Sequence, residues 1–246
     1  MLLAPLLTLA SFFVSQTIAH GGITSYVIDD KPYPGWQPLE PAEGQVSIAR
    51  PYVNFSPILD TADVNLACNN NEGLPTEGQR SAHVRGGSVI TAKWQQQSHP
   101  PGPVLVYMAN CHGSCKKANA SELRWFKIAE TGLASGNLIN GTWGAGIVKE
   151  KLAYDVTVPH NLARGEYLIR HEVITIHITK YPQFYPNCAQ LVVHARGGMN
   201  PPKRFLTKFP GAYSLEDPGL AVDIYTGSST TTYTTPGPAV WKGERF

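Results

Sequence analysis

The segment KLAYDVTVP, residues 151 to 159, has the pattern of a β-strand that is buried on one face. Its apolar side chains occupy every second position: Leu152, Tyr154, Val156 and Val158. Asp155 and Thr157 fall on the opposite face, because successive side chains of a strand point to alternate faces. This alternation predicts a strand with one face on the core and the other in water.

Similar strands recur along the chain, and turn sequences such as Arg85-Gly86-Gly87 separate them. The 246 residues include 23 glycines and 20 prolines, and no long segment has helical periodicity or an internal repeat. Short strands joined by many turns favour an all-β sandwich. The segments 29–43 and 109–120 are interpreted as long surface loops. The predicted strands cover residues 23–28, 45–50, 88–94, 104–108, 123–129, 166–178, 189–195 and 220–225.

The first nineteen residues, MLLAPLLTLASFFVSQTIA, carry no charged side chain. An apolar run leads to Thr17-Ile18-Ala19, with small residues one and three positions before a cut after Ala19. This is the layout of a secretory signal peptide. A membrane-spanning helix is the alternative, but a span needs about 20 apolar residues, and the polar Ser15-Gln16-Thr17 comes too early. We therefore expect residues 1–19 to be removed and the protein to be secreted, without a membrane partner.

Residues 20–246 are interpreted as a single domain, because all-β domains reach about 250 residues. The Thr- and Ser-rich segment 226–238 resembles a linker, but only eight residues follow it, too few for a further module. A net charge of +2, with 15% charged residues, favours neither nucleic acid nor an anionic membrane as a partner. No oligomerisation motif is visible, so a monomer is expected.

Four cysteines form an even set in a protein that is expected to be exported: Cys68, Cys111, Cys115 and Cys188. Export favours two disulfides, for which the sequence allows three pairings. Cys111 and Cys115 are close enough to close one loop, which leaves Cys68 to pair with Cys188. A four-cysteine zinc site is the competing interpretation, but paired C-x-x-C sequences are absent.

Glycosylation sequons occur at Asn119 (N-A-S) and Asn140 (N-G-T). Asn54 (N-F-S) is a weaker candidate, because Pro57 follows its sequon. We expect Asn119 and Asn140 to lie on exposed loops and to carry glycans.

His20 becomes the first residue if the leader is cut after Ala19. An N-terminal histidine offers the α-amine and the imidazole Nδ1 to one metal ion, and the amine, with a pKa of about 7.7–8.0, can lose its proton to a metal near neutral pH. A further imidazole would complete three nitrogen donors in a plane, an arrangement that favours Cu(II). A histidine after a leader is weak evidence alone, so a second histidine in a suitable context is needed.

Two further segments supply that context. In QQQSHPPGPVLVYMA, residues 95–109, His99 precedes a proline-rich turn and an apolar strand. In RHEVITIHITKYPQFYPNC, a predicted strand carries two histidines, and a glutamine and a tyrosine share one face at i and i+2. These four candidates are His171, His177, Gln183 and Tyr185.

The ordered motifs resemble the fungal lytic polysaccharide monooxygenases of auxiliary activity family 9, over essentially all of residues 20–246. The cleavable leader ending before histidine and the joint order of the motifs make the resemblance specific. The motifs are His20-Gly21, Ser98-His99 with Gly102-Pro103-Val104, FKIAETGL (126–133), GEYLIRHEVITIH (165–177), QFYPNCAQL (183–191), FPGAY (209–213) and DPGLAVDIY (217–225).

The resemblance implies an immunoglobulin-like or fibronectin-like β-sandwich with long surface loops and a flat face centred on one type-2 copper ion. From the short tail after residue 238 we expect no appended carbohydrate-binding module. His20 would bind copper through its amine and Nδ1, His99 through Nε2, and Tyr185 weakly at the axial position. His177 and Gln183 match the pair that hydrogen-bonds oxygen species beside the metal. The cysteines match the family's disulfides, Cys68–Cys188 and Cys111–Cys115.

The chain departs from the family after His99, where Pro100 and Pro101 precede Gly102 in place of one residue. An extra residue could shift this loop, so the resemblance fixes the identity of the ligand and leaves the angle of its ring open. His171 is interpreted as a packed or hydrogen-bonded strand residue. The other histidines are interpreted as solvent or turn residues: His83, His112, His160 and His194.

The implied substrate is a surface of β-1,4-glucan, either cellulose or a hemicellulose such as xyloglucan. Tyr225 occupies the family's surface-aromatic position, and Tyr33 and Trp36 are weaker candidates for stacking on sugar faces. The implied reaction hydroxylates C1 or C4 of a glucose unit, with an external electron donor and dioxygen or hydrogen peroxide. No carboxylate pair of the glycosidase type stands out.

Two other functions fit part of the pattern. A non-catalytic carbohydrate-binding sandwich would make His20 and His99 incidental. A copper carrier or electron-transfer protein would use the same ligands without cleaving glycan. His177, Gln183 and Tyr185 weigh against the carrier, because metal carriage needs no residues that face oxygen.

Overall fold

The structure is a computed structural model that describes residues 20–69, 75–194, 197–226 and 229–243. The predicted leader, residues 1–19, lies outside the described residues. Within the described ranges, no helix is both long enough and apolar enough to cross a membrane.

Short β-strands make up most of the regular structure, as the alternating sequence pattern predicts. In the described part of the chain, two α-helices accompany them, α1 at Gly144–Lys151 and α2 at Pro218–Ala221, together with short 3-10 turns. The strands are β1 (Ile23–Ile28), β2 (Lys31–Pro34), β3 (Ala82–Arg85), β4 (Val89–Trp94), β5 (Val104–Asn110), β6 (Trp125–Thr131), β7 (Leu133–Ser135), β8 (Thr142–Trp143), β9 (Ala153–Thr157), β10 (Gly165–Thr175), β11 (Gln183–His194) and β12 (Leu206–Thr207).

The strands form two main sheets that pack face to face. The larger sheet has the order β12-β6-β5-β10-β11-β3 and is antiparallel except for the β11–β3 pair. The smaller sheet, β2-β1-β4-β9, is antiparallel throughout, and β7 pairs separately with β8. The core between the sheets includes Ile23, Tyr26, Ile90 and Ala92 of the smaller sheet and Val104, Val106, Met108 and Ile169 of the larger. The predicted all-β sandwich is confirmed.

The segment KLAYDVTVP forms β9 and its flanks. Val156 and Val158 are buried while Asp155 and Thr157 are exposed, as predicted. Leu152 differs, because it ends α1 with a left-handed φ of 49° and is 39% exposed. The sequence does not predict α1, since GAGIVKEK is short and contains two glycines, which disfavour helix.

Two of the predicted strands are wrong. Residues 45–50 form only isolated bridges, because this segment spans the two sheets rather than joining one. The amide of Ile48 bonds to a carbonyl of β2, and that of Arg50 bonds to a carbonyl of β11. Residues 220–225 begin inside α2, where Pro218 occupies the first turn and favours helix over strand.

Two predicted strands have different ends. The strand predicted at 166–178 is β10, which ends at Thr175, so that His177 lies in the following turn. The strand predicted at 189–195 is β11, which begins six residues earlier and includes Gln183 and Tyr185. Both differences concern the end of the sandwich that carries the candidate site. The predicted surface loops also contain short strand pieces, namely β2 and the last residues of β5.

A second core covers the outer face of the larger sheet and contains a buried ion pair. The guanidinium of Arg170 contacts both carboxylate oxygens of Glu172 at 2.6 and 2.7 Å, and both side chains are fully buried. The Tyr213 hydroxyl donates to the same carboxylate at 2.6 Å. The two expected disulfides are present in this core, Cys68–Cys188 and Cys111–Cys115.

Candidate active site

The residue that would become the N-terminus is held in place by two glycines. His20 lies just before β1, and its ring is partly exposed. A Cβ at Gly21 would collide with the Gln96 carbonyl, and a Cβ at Gly22 would collide with the Tyr52 ring. Because only glycine permits these approaches, the backbone beside His20 packs directly on the segment that leads to His99.

His99 lies in the loop between β4 and β5, and the double proline does not detach this loop. The amide of Ile176 donates to the Pro101 carbonyl at 3.1 Å. Gly102, with a φ of 135°, packs so closely on the backbone of β10 that no side chain would fit there. The loop is therefore fastened to β10 immediately after the insertion, and Pro100 itself is exposed to solvent.

The ring of His177 stacks on the ring of His99. Their centroids are 3.9 Å apart and their planes differ by 7°. The Tyr225 hydroxyl donates to the His177 carbonyl at 2.7 Å, which anchors the backbone at this position. The stack defines the orientation of the His99 ring, which the double proline left open.

Tyr185 and Gln183 lie on one face of β11, as their spacing predicts. The Tyr185 hydroxyl donates to Oε1 of Gln183 at 2.6 Å, and the Thr175 hydroxyl donates to the same atom at 3.4 Å. Because Oε1 accepts both bonds, the amide nitrogen of Gln183 remains available as a donor. Burial raises the pKa of the Tyr185 phenol above its ordinary value, against a smaller lowering by its hydrogen bond with Thr175, so the phenol is neutral at physiological pH.

These side chains converge with His20 at one end of the sandwich. The ring centroid of His20 is 5.7 Å from that of His99 and 5.9 Å from that of Tyr185. Imidazole nitrogen binds metals at about 2.0–2.1 Å, so two imidazoles with this separation can hold one ion between them. Nitrogen donors with a phenol beside them are a donor set that suits copper. The residues therefore fit the implied metal.

Burial and neighbouring positive charges favour the neutral form of His99 and His177. Burial lowers the pKa of His99, and the neighbouring His177, His20 and Lys149 lower it further. Burial and His20 also lower the pKa of His177. A neutral imidazole has a free lone pair, which is the form that binds metals.

Two exposed tyrosines flank the candidate site. Tyr225, the predicted sugar contact, is 61% exposed. Tyr181, which no sequence pattern indicates, is 70% exposed and lies two residues before Gln183. Its amide donates to the Ile178 carbonyl at 3.0 Å and so closes the turn that carries it. An aromatic residue in a turn carries no periodic signal of exposure, so only the fold identifies it.

The other two aromatic candidates differ from each other. Trp36 is only 5% exposed, and its indole N–H donates to the Tyr52 carbonyl at 3.0 Å. Its ring belongs to the core between the sheets, which contradicts the suggested sugar contact. Tyr33 is half-buried on β2, with Lys31 Nζ lying 5.2 Å from its ring centroid, and keeps part of its ring exposed.

The remaining histidines adopt three kinds of environment. His171 is fully buried between Tyr26 and Trp94, and burial lowers its pKa to about 3. It is therefore a packed strand residue, as expected. His83 and His194 are exposed, as predicted, and their ring nitrogens lie 2.7 Å apart. The two in turns, as predicted, are His112 and His160.

The glycosylation candidates differ in exposure: Asn140 is exposed as expected, and Asn119 is not. Asn140 and Asn54 are exposed. Asn119 is partly buried, and its Oδ1 accepts from the backbone and the hydroxyl of Ser121 at 3.0 and 2.9 Å.

Comparison with known proteins indicates the same family as the sequence motifs, along nearly the whole chain. Residues 20–233 match the family model described as Auxiliary Activity family 9 (formerly GH61), a match that begins at His20. The chain is 46% identical, over 99% of its own length and 100% of the relative's, to the AA9 family lytic polysaccharide monooxygenase B of Heterobasidion irregulare.

Solved structures agree with the sequence relatives. The fold is similar to the crystal structure of HiLPMO9B, with a TM-score of 0.88 and 46% identity, over 91% of this chain and 100% of that one. It is also similar to a cellulose-active polysaccharide monooxygenase from M. thermophila, with a TM-score of 0.82 and 34% identity, over 92% and 100% of the two chains.

Proposed function

Because the chain belongs to auxiliary activity family 9 and is a lytic polysaccharide monooxygenase of that copper-dependent family, we propose that it cleaves β-1,4-glucan by hydroxylating C1 or C4 of a glucose unit. Cellulose is the first substrate to test, since one structural relative is a cellulose-active enzyme. Membership of the family removes the two rival functions, a non-catalytic binding module and a copper carrier.

The observation that carries the proposal is the convergence of His20, His99 and Tyr185. The three rings come from just before β1, from the β4–β5 loop and from β11, and the ring centroids of His99 and Tyr185 lie 5.7 and 5.9 Å from that of His20. The His20 amine and Nδ1, His99 and Tyr185 would hold the copper ion. Bound copper would supply the one-electron chemistry that activates dioxygen or hydrogen peroxide.

The first requirement of this site is removal of the leader. In the uncut chain the His20 nitrogen is an amide, which is a poor metal ligand. A cut between Ala19 and His20 converts it into an amine beside an imidazole, so one residue gains two donors. Secretion, one copper ion per chain and a single domain at residues 20–246 belong to the same proposal.

The neighbouring residues would control protons and orientation. Tyr185 keeps its proton because it is buried, and its hydroxyl donates a hydrogen bond to Oε1 of Gln183. Gln183 is thereby turned so that its N–H groups can donate towards the oxidant. His177 supplies the only imidazole in the described part of the site that is not assigned to the metal, and it would hold or donate a proton beside the reacting sugar.

The surface around the site suits an extended glucan. Tyr225, which bonds to the His177 carbonyl, and Tyr181, four residues after His177 in the chain, both expose their rings. Tyrosine rings stack on the C–H faces of sugars, which favours a planar substrate over a single sugar in a cleft. An external electron donor, a monomeric state and glycans at Asn119 and Asn140 complete the proposal.

The test uses the secreted protein, loaded with copper and supplied with ascorbate and swollen cellulose. We expect soluble oligosaccharides with aldonic acids or C4-ketosugars at their ends. The His99→Ala variant should lose copper binding and oxidised products, while His112→Gln, at an exposed turn histidine, should retain both. The absence of oxidised sugars from several β-1,4-glucans, with copper bound, would contradict the proposed substrate. A secreted chain that starts elsewhere than His20 would contradict the proposed metal site.

A further inference from the structure

A second polar site lies at the other end of the sandwich. A cavity of about 880 Å³ opens beside His194, the last residue of β11. β11 spans 12 residues, so at about 3.3 Å per residue this cavity is on the order of 36 Å from Gln183. Its described lining contains no carboxylate and four basic side chains: Arg85, His160, Arg164 and His194.

Two guanidinium groups in this cavity, those of Arg85 and Arg164, form no ion pair with any described residue. The ion pairs found within the described ranges are Lys127–Glu130 and Arg170–Glu172, and neither Arg85 nor Arg164 takes part in them. Arginine stays charged at every accessible pH. The described lining of the cavity therefore carries a net positive charge. Positive charge in a concave surface concentrates anions there, because the protein walls focus the field.

The fold makes room for His160 in the cavity wall. A Cβ at Gly86 would collide with the His160 carbonyl. A Cβ at Gly87 would lie 2.5 Å from Cε1 and 2.7 Å from Nδ1 of the His160 ring, and the φ of Gly87 is 92°. The Gly-Gly turn between β3 and β4 is therefore needed to seat this imidazole.

His194 is held by a second histidine. Its Nε2 lies 2.7 Å from Nδ1 of His83, and the two rings are stacked with centroids 5.0 Å apart. The bond occupies one nitrogen of His194 and leaves Nδ1 for another partner. Asp29 lines the neighbouring cavity together with His83, Arg85 and His194, and its carboxylate accepts from the Ser88 hydroxyl at 2.6 Å and the Val89 amide at 3.0 Å. Among the described residues Asp29 forms no ion pair with Arg85.

We propose that this cavity binds an anion that carries two or more carboxylate groups, or a phosphate, either free or attached to a sugar chain. Arg85 and Arg164 each offer paired N–H donors that match the geometry of a carboxylate or phosphate. His160 and His194 add single donors between them. The volume falls within the range of about 300–1,000 Å³ that is usual for small-ligand sites.

The experiment is a titration of the copper-loaded protein, followed by backbone amide NMR of Gly86, Gly165 and Gly197. Inorganic phosphate and trigalacturonate are the two probes. We expect saturable shifts at these glycines, and at least about tenfold weaker binding in Arg85→Gln and in Arg164→Gln, since each variant loses a charge-assisted pair. Tighter binding of phosphate identifies a free oxyanion, and tighter binding of trigalacturonate identifies a carboxylated sugar chain.

Arg80→Gln is the matched control, because Arg80 is exposed and lies outside this cavity. Its affinity for either probe should stay at the wild-type value. The proposal is overturned if neither probe gives saturable shifts, or if Arg80→Gln weakens binding as much as Arg85→Gln does. The readout involves neither copper nor oxidised sugars, so this test and the test of the proposed function fail independently.

Discussion

His99 and His177 form a face-to-face pair, with ring centroids 3.9 Å apart and planes within 7° of parallel. One ring is assigned to the metal and the other is not, so a single contact joins the proposed ligand set to the proposed proton donor. Two contributions of His177 can therefore be separated: the ring that supports His99, and the nitrogens that exchange protons.

We expect His177→Phe and His177→Ala to differ in copper binding but not in activity. Phenylalanine keeps a ring against His99, so copper affinity should stay near the wild-type value, whereas alanine should weaken it. Both variants lose the proton-exchanging group, and both should lose about 10²–10⁴-fold in turnover. Copper titration and product analysis measure the two effects. Retained activity in His177→Phe would contradict the proposed proton role.

Truncation of the exposed tyrosines should weaken binding to cellulose. The variants Tyr225→Ala and Tyr181→Ala each remove one ring that would be buried against the glucan. Each should lose about 1.5–3 kcal/mol of binding free energy, which is roughly tenfold or more in affinity. Tyr225→Phe keeps the ring but loses the bond to the His177 carbonyl, so it should bind cellulose normally and turn over more slowly. Pull-down isotherms give the affinities. Tyr33→Ala is the comparison, and an equal loss there would place the glucan across β2 as well.

The buried pair of Arg170 and Glu172 should tolerate joint replacement better than single replacement. In Arg170→Met the Glu172 carboxylate stays buried without its cation, and breaking such a pair costs about 3–5 kcal/mol. The double variant with Glu172→Gln removes both charges, so its free energy of unfolding should recover part of the loss. Denaturant titration of the two variants checks this. A double variant less stable than Arg170→Met would contradict the explanation.

His171 should make the fold less stable as the pH falls. Its pKa is about 3 in the folded protein and 6.5 in an unfolded chain, so between these values the unfolded state binds one more proton. Below pH 6.5 the free energy of unfolding should drop by about 1.4 kcal/mol per pH unit from this residue alone. His171→Phe should flatten that slope between pH 6 and pH 4, and His112→Gln should not. Parallel slopes in wild type and His171→Phe would disprove the assignment.

The sequence predicts the long inner strands and misses the short ones for a physical reason. β1, β4, β5 and β6 have six or seven residues each, enough for an apolar alternation to be visible. β7, β8 and β12 have two or three residues and carry no pattern. Residues 45–50 alternate like a strand, but their hydrogen-bond partners belong to both sheets. The local sequence contains no pattern that indicates such partners.

The candidate site was predictable only in part. The set of His20, His99 and Tyr185 came from the resemblance to a family, because spacing along the chain says little about residues on three separate elements. Trp36 was misassigned, since an aromatic residue in a proline-rich segment can face either the core or solvent. The His83–His194 pair was missed because parallel pairing of β3 with β11 joins residues 111 positions apart.

The turn at Pro100 and Pro101 is a place where the loop length can change while His99 keeps its position. The bond from the Ile176 amide to the Pro101 carbonyl fastens the loop to β10, and Pro100 is exposed. Extra length at Pro100 would change the surface around the candidate site that the proposed glucan would contact. We therefore expect loop grafts at Pro100 to alter which polymer binds while the orientation of the His99 imidazole stays the same.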